Sequence, residues 1–103
     1  MYKISVFVPE SNAETVKQAM FDAGAGRIGD YDRCCWQTPG QGQFRPLQGS
    51  SPRIGQQDRI ETVAELKVEM VCDDAHIKDV ITALKSSHPY EEPAYDVWKL
   101  EDI

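Results

Sequence analysis

Residues 60–72, IETVAELKVEMVC, alternate almost without interruption. Thr62, Ala64, Leu66, Val68, Met70 and Cys72 fall on one side; Glu61, Glu65, Lys67 and Glu69 fall on the other with Val63. A period of two over so long a run is a β-strand with one covered face and one wetter face. Such a strand is not stable alone, so the rest of the chain must supply strand partners and a layer for the covered face.

The flanking segments do both. Residues 2–8 alternate with Ile4, Val6 and Val8 against Lys3, Ser5 and Phe7, and Pro9 closes this strand. Ser11-Asn12-Ala13-Glu14 then has the form of a capping box, in which hydroxyl and carboxylate satisfy free backbone donors. Val16, Ala19, Met20 and Ala23 recur at helical spacing, and Gly24 stands where a left-handed cap is expected, so a helix is predicted over 12–23. Residues 28–38, with Tyr31, Cys34, Cys35 and Trp36, read as extended. After the long strand, Asp73 or Asp74 is placed to cap a second helix with Ile77, Val80, Ile81 and Leu84 as its apolar stripe. A last strand is predicted near 94–100 from Tyr95 and Val97.

The order is β-α-β, loop, β-α-β. It predicts an α+β, ferredoxin-like sandwich with both helices on one face of an antiparallel sheet. At 103 residues the chain forms a single domain over 1–103. Phe7 and Val63 lie on the second sheet face and leave apolar surface for a partner subunit. Residues 39–59, PGQGQFRPLQGSSPRIGQQDR, form a long excursion between strands two and three, and such excursions are usually functional or mobile.

Charge narrows the function. The net charge is -6, the wrong sign for a phosphate-backbone binder, so nucleic acid is not expected. The excursion departs from this balance: it carries Arg45, Arg53 and Arg59 against Asp58 alone, whereas the remainder holds 8 basic and 16 acidic residues. A basic loop on an acidic body can embrace a small anion or an acidic protein partner, or can pair with its own body. No apolar run approaches the ~20 residues of a membrane helix, and the N-terminal apolar stretch is short for a secretory signal. A cytoplasmic location without membrane attachment is therefore expected. Three cysteines, two of them adjacent, make a poor disulfide framework and agree with a reducing compartment.

Three constellations bear on chemistry. Gly24-Ala25-Gly26-Arg27-Ile28-Gly29 matches G-x-G-x-x-G but ends a helix rather than opening one, so it reads as a turn and not as a nucleotide site. Cys34 and Cys35 are thiols on an extended segment, where neighbours point to opposite faces. His88-Pro89-Tyr90-Glu91-Glu92-Pro93 packs an imidazole, a phenol and two carboxylates between two prolines. Its structural reading is a rigid helix-to-strand connection, which takes precedence; its chemical reading is a metal site, an anion site or an acid–base pair. No nucleophile elbow, phosphate loop or zinc spacing is present.

Several segments in order resemble one family: residues 24–32 (GAGRIGDYD), 40–49 (GQGQFRPLQG), 52–55 (PRIG) and 88–96 (HPYEEPAYD). Together they resemble the inserted domain of the bacterial Nif-three-like proteins, the GTP cyclohydrolase 1 type 2 homologues, and the chain looks like a stand-alone form of that insert. The resemblance implies a fold similar to the PII and CutA proteins, which form trimers. CutA proteins share a His-Pro-Tyr segment after the second helix, and PII proteins carry a sensing loop where residues 39–59 stand. The dinuclear metal site of the full-length proteins lies in the flanking domains, so their cyclohydrolase label does not carry over. The expected function is a non-enzymatic sensor or adaptor for a small ligand, a metal or a partner, self-associating as a trimer. Arg45, Arg53, His88, Tyr90 and Glu91 are the expected ligand-binding residues. Copper or another divalent metal at Cys34, Cys35 and His88 is a further expectation. The alternatives are a metal-dependent hydrolase acting on a phosphorylated or nucleotide-like substrate, and a purely structural oligomerisation module.

Overall fold

The computed structural model describes residues 1–103. Strand β1 (Tyr2–Pro9) leads through a 3-10 turn (Glu10–Asn12) into helix α1 (Ala13–Asp22). Strands β2 (Trp36–Phe44) and β3 (Glu61–Cys72) follow, then helix α2 (Ile77–Ser87) and strand β4 (Tyr95–Lys99). The sheet order is β2-β3-β1-β4 and every pairing is antiparallel. This is the expected α+β ferredoxin-like arrangement, with the two pseudo-symmetric halves interleaved through the central pair β1 and β3.

The alternation read from the sequence becomes the core. Ile4, Val6 and Val8 of β1 and Val68, Met70 and Cys72 of β3 are buried against Val16 and Met20 of α1 and Val80 and Leu84 of α2. The two helices also pack on each other. Gly24 takes φ +118° and the chain leaves α1 there, with Ala25 N–H donating to Met20 O at 3.1 Å. This is the glycine-terminated helix end that the sequence predicts.

Three local expectations are corrected. The capping box does not form: Asn12 caps α1 without a side-chain bond, Ser11 Oγ donates to Asn12 Oδ1, and Glu14 pairs with Lys17 at 2.9 Å. Ser11 lies inside the 3-10 turn that follows Pro9, one residue ahead of the cap position that Asn12 takes. Cys34 and Cys35 lie in the connection before β2 rather than on a strand. The second strand starts at Trp36 and runs through Pro39, Gly40 and Gly42, residues that read as loop. An edge position explains this, because a strand paired on one side tolerates a proline whose missing donor faces outward. The excursion proper is therefore residues 45–60.

β3 is longer than its partner on the core side. β1 matches it only as far as Pro9 opposite Glu65, while β2 continues to Phe44 opposite Glu61. A 12-residue strand at ~3.3 Å per residue spans about 40 Å. This accounts for a molecule 46 Å long and 24 Å across, with the β2–β3 hairpin projecting past the helices. Thr62 and Ala64, assigned to the covered face, are exposed for the same reason. No helix is long and apolar enough to cross a membrane.

Candidate functional site

α2 stops at Ser87 because Pro89 disfavours the helical conformation at the residue before it, and His88 is extended at φ -73°, ψ 138°. The connection from His88 to Ala94 then crosses to the sheet face opposite the helices. It is fastened to β1 at Phe7: the Phe7 N–H donates to Ala94 O at 3.1 Å, and His88 Nε2 lies 2.8 Å from Phe7 O. The Tyr90 N–H donates to His88 Nδ1 at 3.1 Å. Nε2 must then carry the proton and Nδ1 the lone pair, which defines one neutral tautomer. His88 is 6% exposed, and burial pushes its pKa below the usual imidazole value against the opposing pull of Phe7 O and Glu65.

Tyr90, held by this clip, reaches over β3. Its hydroxyl donates to Glu65 Oε2 at 3.2 Å, and its ring tilts against Phe44 at a centroid separation of 5.9 Å. Burial first, and the Glu65 charge second, push the Tyr90 phenol up to about 12. Glu65 is 9% exposed although it stands on the outward face of the strand. The diagonal cross-strand neighbour Gly42 bears no side chain, so the Glu65 carboxylate can lie flat against β2; a methyl group at 42 would overlap Oε1.

The excursion closes the remaining side. Asp58 N–H donates to Pro46 O at 2.7 Å, pinching the loop at its base, and Ser50 turns back on Leu47 through its backbone and hydroxyl. The Ser51 N–H donates to Glu91 Oε1 at 2.9 Å and ties the loop to the connection. Between loop, connection and sheet lies a cavity of about 270 Å³, with Glu65 and Tyr90 at its wall and Phe7, Phe44, Arg53 and Glu91 around them.

Of the residues singled out from the sequence, the structure brings Arg53, Tyr90 and Glu91 to this one cavity. Arg45 is exposed and outside the lining. His88 stands behind Tyr90, at a ring separation of 5.1 Å, and positions it rather than facing a ligand. The acids Glu65, Glu91 and Glu92 face the single cation Arg53, so the lining does not have the anion-binding charge expected from the loop's arginines. For the copper expectation at Cys34, Cys35 and His88, no three His, Cys, Asp or Glu side chains of the single chain form a group that could hold a metal, and both His88 nitrogens are engaged. Cys72 lies in the core, where burial pushes its thiol up to about 11 and keeps it protonated. Glu65 and Phe44 were missed as site residues. The available signal was Gly42 diagonally across from an acidic residue, which becomes readable only once the register is known.

No family model matches the chain. The GTP cyclohydrolase 1 type 2 homolog of Halalkalibacterium halodurans is 44% identical over 100 residues, covering 97% of this chain and 27% of the relative. The Mycobacterium tuberculosis homolog of the same name is 46% identical over 95 residues, covering 92% of this chain and 25% of the relative. The chain spans about a quarter of the length of these curated relatives. Among solved structures, a Bacillus cereus protein related to NIF3 superposes with a TM-score of 0.83 at 40% identity, over 98% of this chain and 26% of that one. CutA from Xylella fastidiosa superposes with a TM-score of 0.69 at 23% identity, over 98% of this chain and 84% of that one, which shows a shared fold.

Proposed function

This chain is homologous to a segment of about 100 residues within the GTP cyclohydrolase 1 type 2 homologs, and from that premise we propose that it is a non-enzymatic, ligand-responsive regulatory domain. The observation that carries this reading is the cavity between the 45–60 loop and the 88–94 connection. Loops that are clamped to a rigid sheet by a few hydrogen bonds can change their packing when a small molecule enters. Glu65, Tyr90, Arg53 and Glu91 are the groups that would meet that molecule.

The fold likeness to CutA and the apolar side chains outside the core support self-association, and we assign a trimer as its form. Trp36 on the β2 edge and Trp98 and Val97 on the β4 edge are exposed. Edge strands bearing such residues pair readily with another chain. A cytoplasmic setting suits three free thiols. The activity named for the whole relatives is not assigned to this segment.

A thermal-shift screen across amines, carboxylates, phosphates, nucleotides and divalent metals tests the reading, because a ligand that binds only the folded state raises its stability. At least one class should raise Tm, and the rise should vanish in Ala94→Phe, where a ring fills the cavity. No shift from any class would leave an oligomerisation module instead. GTP turnover by the pure protein, lost in Glu65→Gln, would restore the hydrolase reading. Sedimentation at micromolar concentration should show a trimer; a lone 11.6 kDa species would remove the assembly.

A further inference from the structure

Glu65 is more than nine-tenths buried, yet no Lys, Arg or His nitrogen lies within 4.0 Å of its carboxylate. Its side chain accepts one hydrogen bond, from the neutral Tyr90 hydroxyl to Oε2. Oε1 accepts none from the protein and lies against the Gly42 backbone, while the Glu65 side chain lines the cavity. This mostly covered carboxylate has one neutral donor in the chain, and its second oxygen stays open to solvent and to a charged partner. Phe7, Phe44, Pro46 and the Tyr90 ring supply the cavity's apolar wall, beside the polar Gln43, Ser50, Arg53, Glu91 and Glu92.

We propose that this cavity binds an organic ammonium compound, with the ammonium group donating to Glu65 Oε1 and the carbon body lying between Phe7, Phe44 and Tyr90. The inference rests on the ligand-binding reading above and names its chemistry. Three features select this class. A cation within hydrogen-bond reach of Oε1 gives a carboxylate that has no ion pair in the chain a charge-assisted bond, among the stronger polar contacts available. Aromatic faces attract an ammonium and also hold its methylene groups, which a hydrated metal ion lacks. Metal coordination would need several hard oxygen ligands converging on one point, whereas Glu65, Glu91 and Glu92 line the cavity without forming a group that could hold an ion. Anions are disfavoured because Glu65, Glu91 and Glu92 outnumber Arg53. The volume, about 270 Å³, suits a molecule of a few heavy atoms. Arg53 makes no ion pair within the chain, so a ligand that also carries a carboxylate gains a second contact on the loop.

The test is thermal unfolding of the full chain with n-butylammonium chloride, 4-aminobutyrate, sodium butyrate, potassium chloride and magnesium chloride at matched ionic strength. n-Butylammonium should raise Tm by roughly 3 °C or more at several times its Kd, and 4-aminobutyrate should do at least as well. Butyrate and the two salts should not. Glu65→Gln keeps the shape and removes the charge, and should abolish the shift. If that variant does not fold by circular dichroism, Gly42→Ala reads the same point, because its methyl group displaces Oε1. A shift that survives in the folded variant overturns the proposal, as does a larger response to the metal salts than to the amine. Failure of the amine alongside a rise with phosphate or a nucleotide overturns the ammonium assignment and leaves the cavity as a ligand site. Failure of every class overturns both readings.

Discussion

The two halves of β3 sit in opposite circumstances. From Leu66 to Cys72 the strand is central, paired with β1 throughout and with β2 as far as Glu69, and its inward residues Val68, Met70 and Cys72 are buried under the helices. From Glu61 to Glu65 it is one arm of a projecting hairpin whose inward positions Thr62 and Ala64 are exposed. The buried residue at that end is Glu65, on the other face, under a tyrosine borrowed from a distant connection. One strand therefore carries both the apolar core that supports the fold and the polar cavity that offers chemistry. Burial in the first half is apolar and tolerant of the chemistry outside it. Burial in the second depends on a few polar bonds, and that dependence suits a region that must respond to a ligand.

Four measurements would break or sharpen that contrast. The largest effect should come from the helix-backed half. Leu84 is fully buried in the core, and Leu84→Ala should lower unfolding stability by about 2–5 kcal/mol in urea titration, with an unchanged m value. A loss below about 1 kcal/mol would mean that this half is not where stability resides.

His88→Ala comes next, since His88 joins the two regions. It removes two hydrogen bonds and a buried ring, and should cost about 2 kcal/mol while loosening the Tyr90 wall. The same residue predicts an acid-side arm. Its folded pKa lies below 6.5, so the unfolded chain binds more protons as pH falls through that value, and stability should decline below about pH 6.5. Urea midpoints from pH 8 to 5 should show this slope in the parent chain and not in His88→Gln.

Tyr90→Phe probes the cavity alone. Losing the donor to Glu65 should cost about 1 kcal/mol at neutral pH. The phenol is raised to about 12 from 10, so the folded state holds its proton longer than the unfolded state. That contribution should fade as pH rises from 10 to 12, and the difference between parent and Tyr90→Phe should shrink over the same range. Arg53→Ala should have the smallest effect, within about 0.5 kcal/mol, because the side chain is exposed and unpaired. A larger loss would show that the loop supports the fold rather than resting on it.

Legibility followed the same divide. The core stripe Ile4, Val6, Val8, Val68, Met70, Val80 and Leu84 was readable because periodicity and burial coincide wherever helices cover the sheet. The β2 boundary was not, because Pro39, Gly40 and Gly42 have loop composition and join the sheet only as an edge beside β3. Arg53, Tyr90 and Glu91 were noticed as chemically rich residues and do share a cavity. Arg45 was noticed on equal grounds and lies outside it. His88 was noticed as a ligand and serves as the clip that positions Tyr90.

The sequence by itself determined the element order, the antiparallel α+β sandwich and the residues of its core, because those follow from local periods of 2 and 3.6 and from burial on one face. Proline at 89 likewise dictated where α2 must end. The tertiary structure alone decided that Glu65 is a buried acid rather than one of a row of solvated ones. That outcome needs the glycine at 42 brought alongside by β2, and Tyr90 carried across the sheet by a connection fastened at Phe7. Positions 42, 65 and 90 are far apart in the chain. No local pattern encodes their meeting, since a carboxylate's surroundings are set by what packs over it and not by its neighbours in sequence.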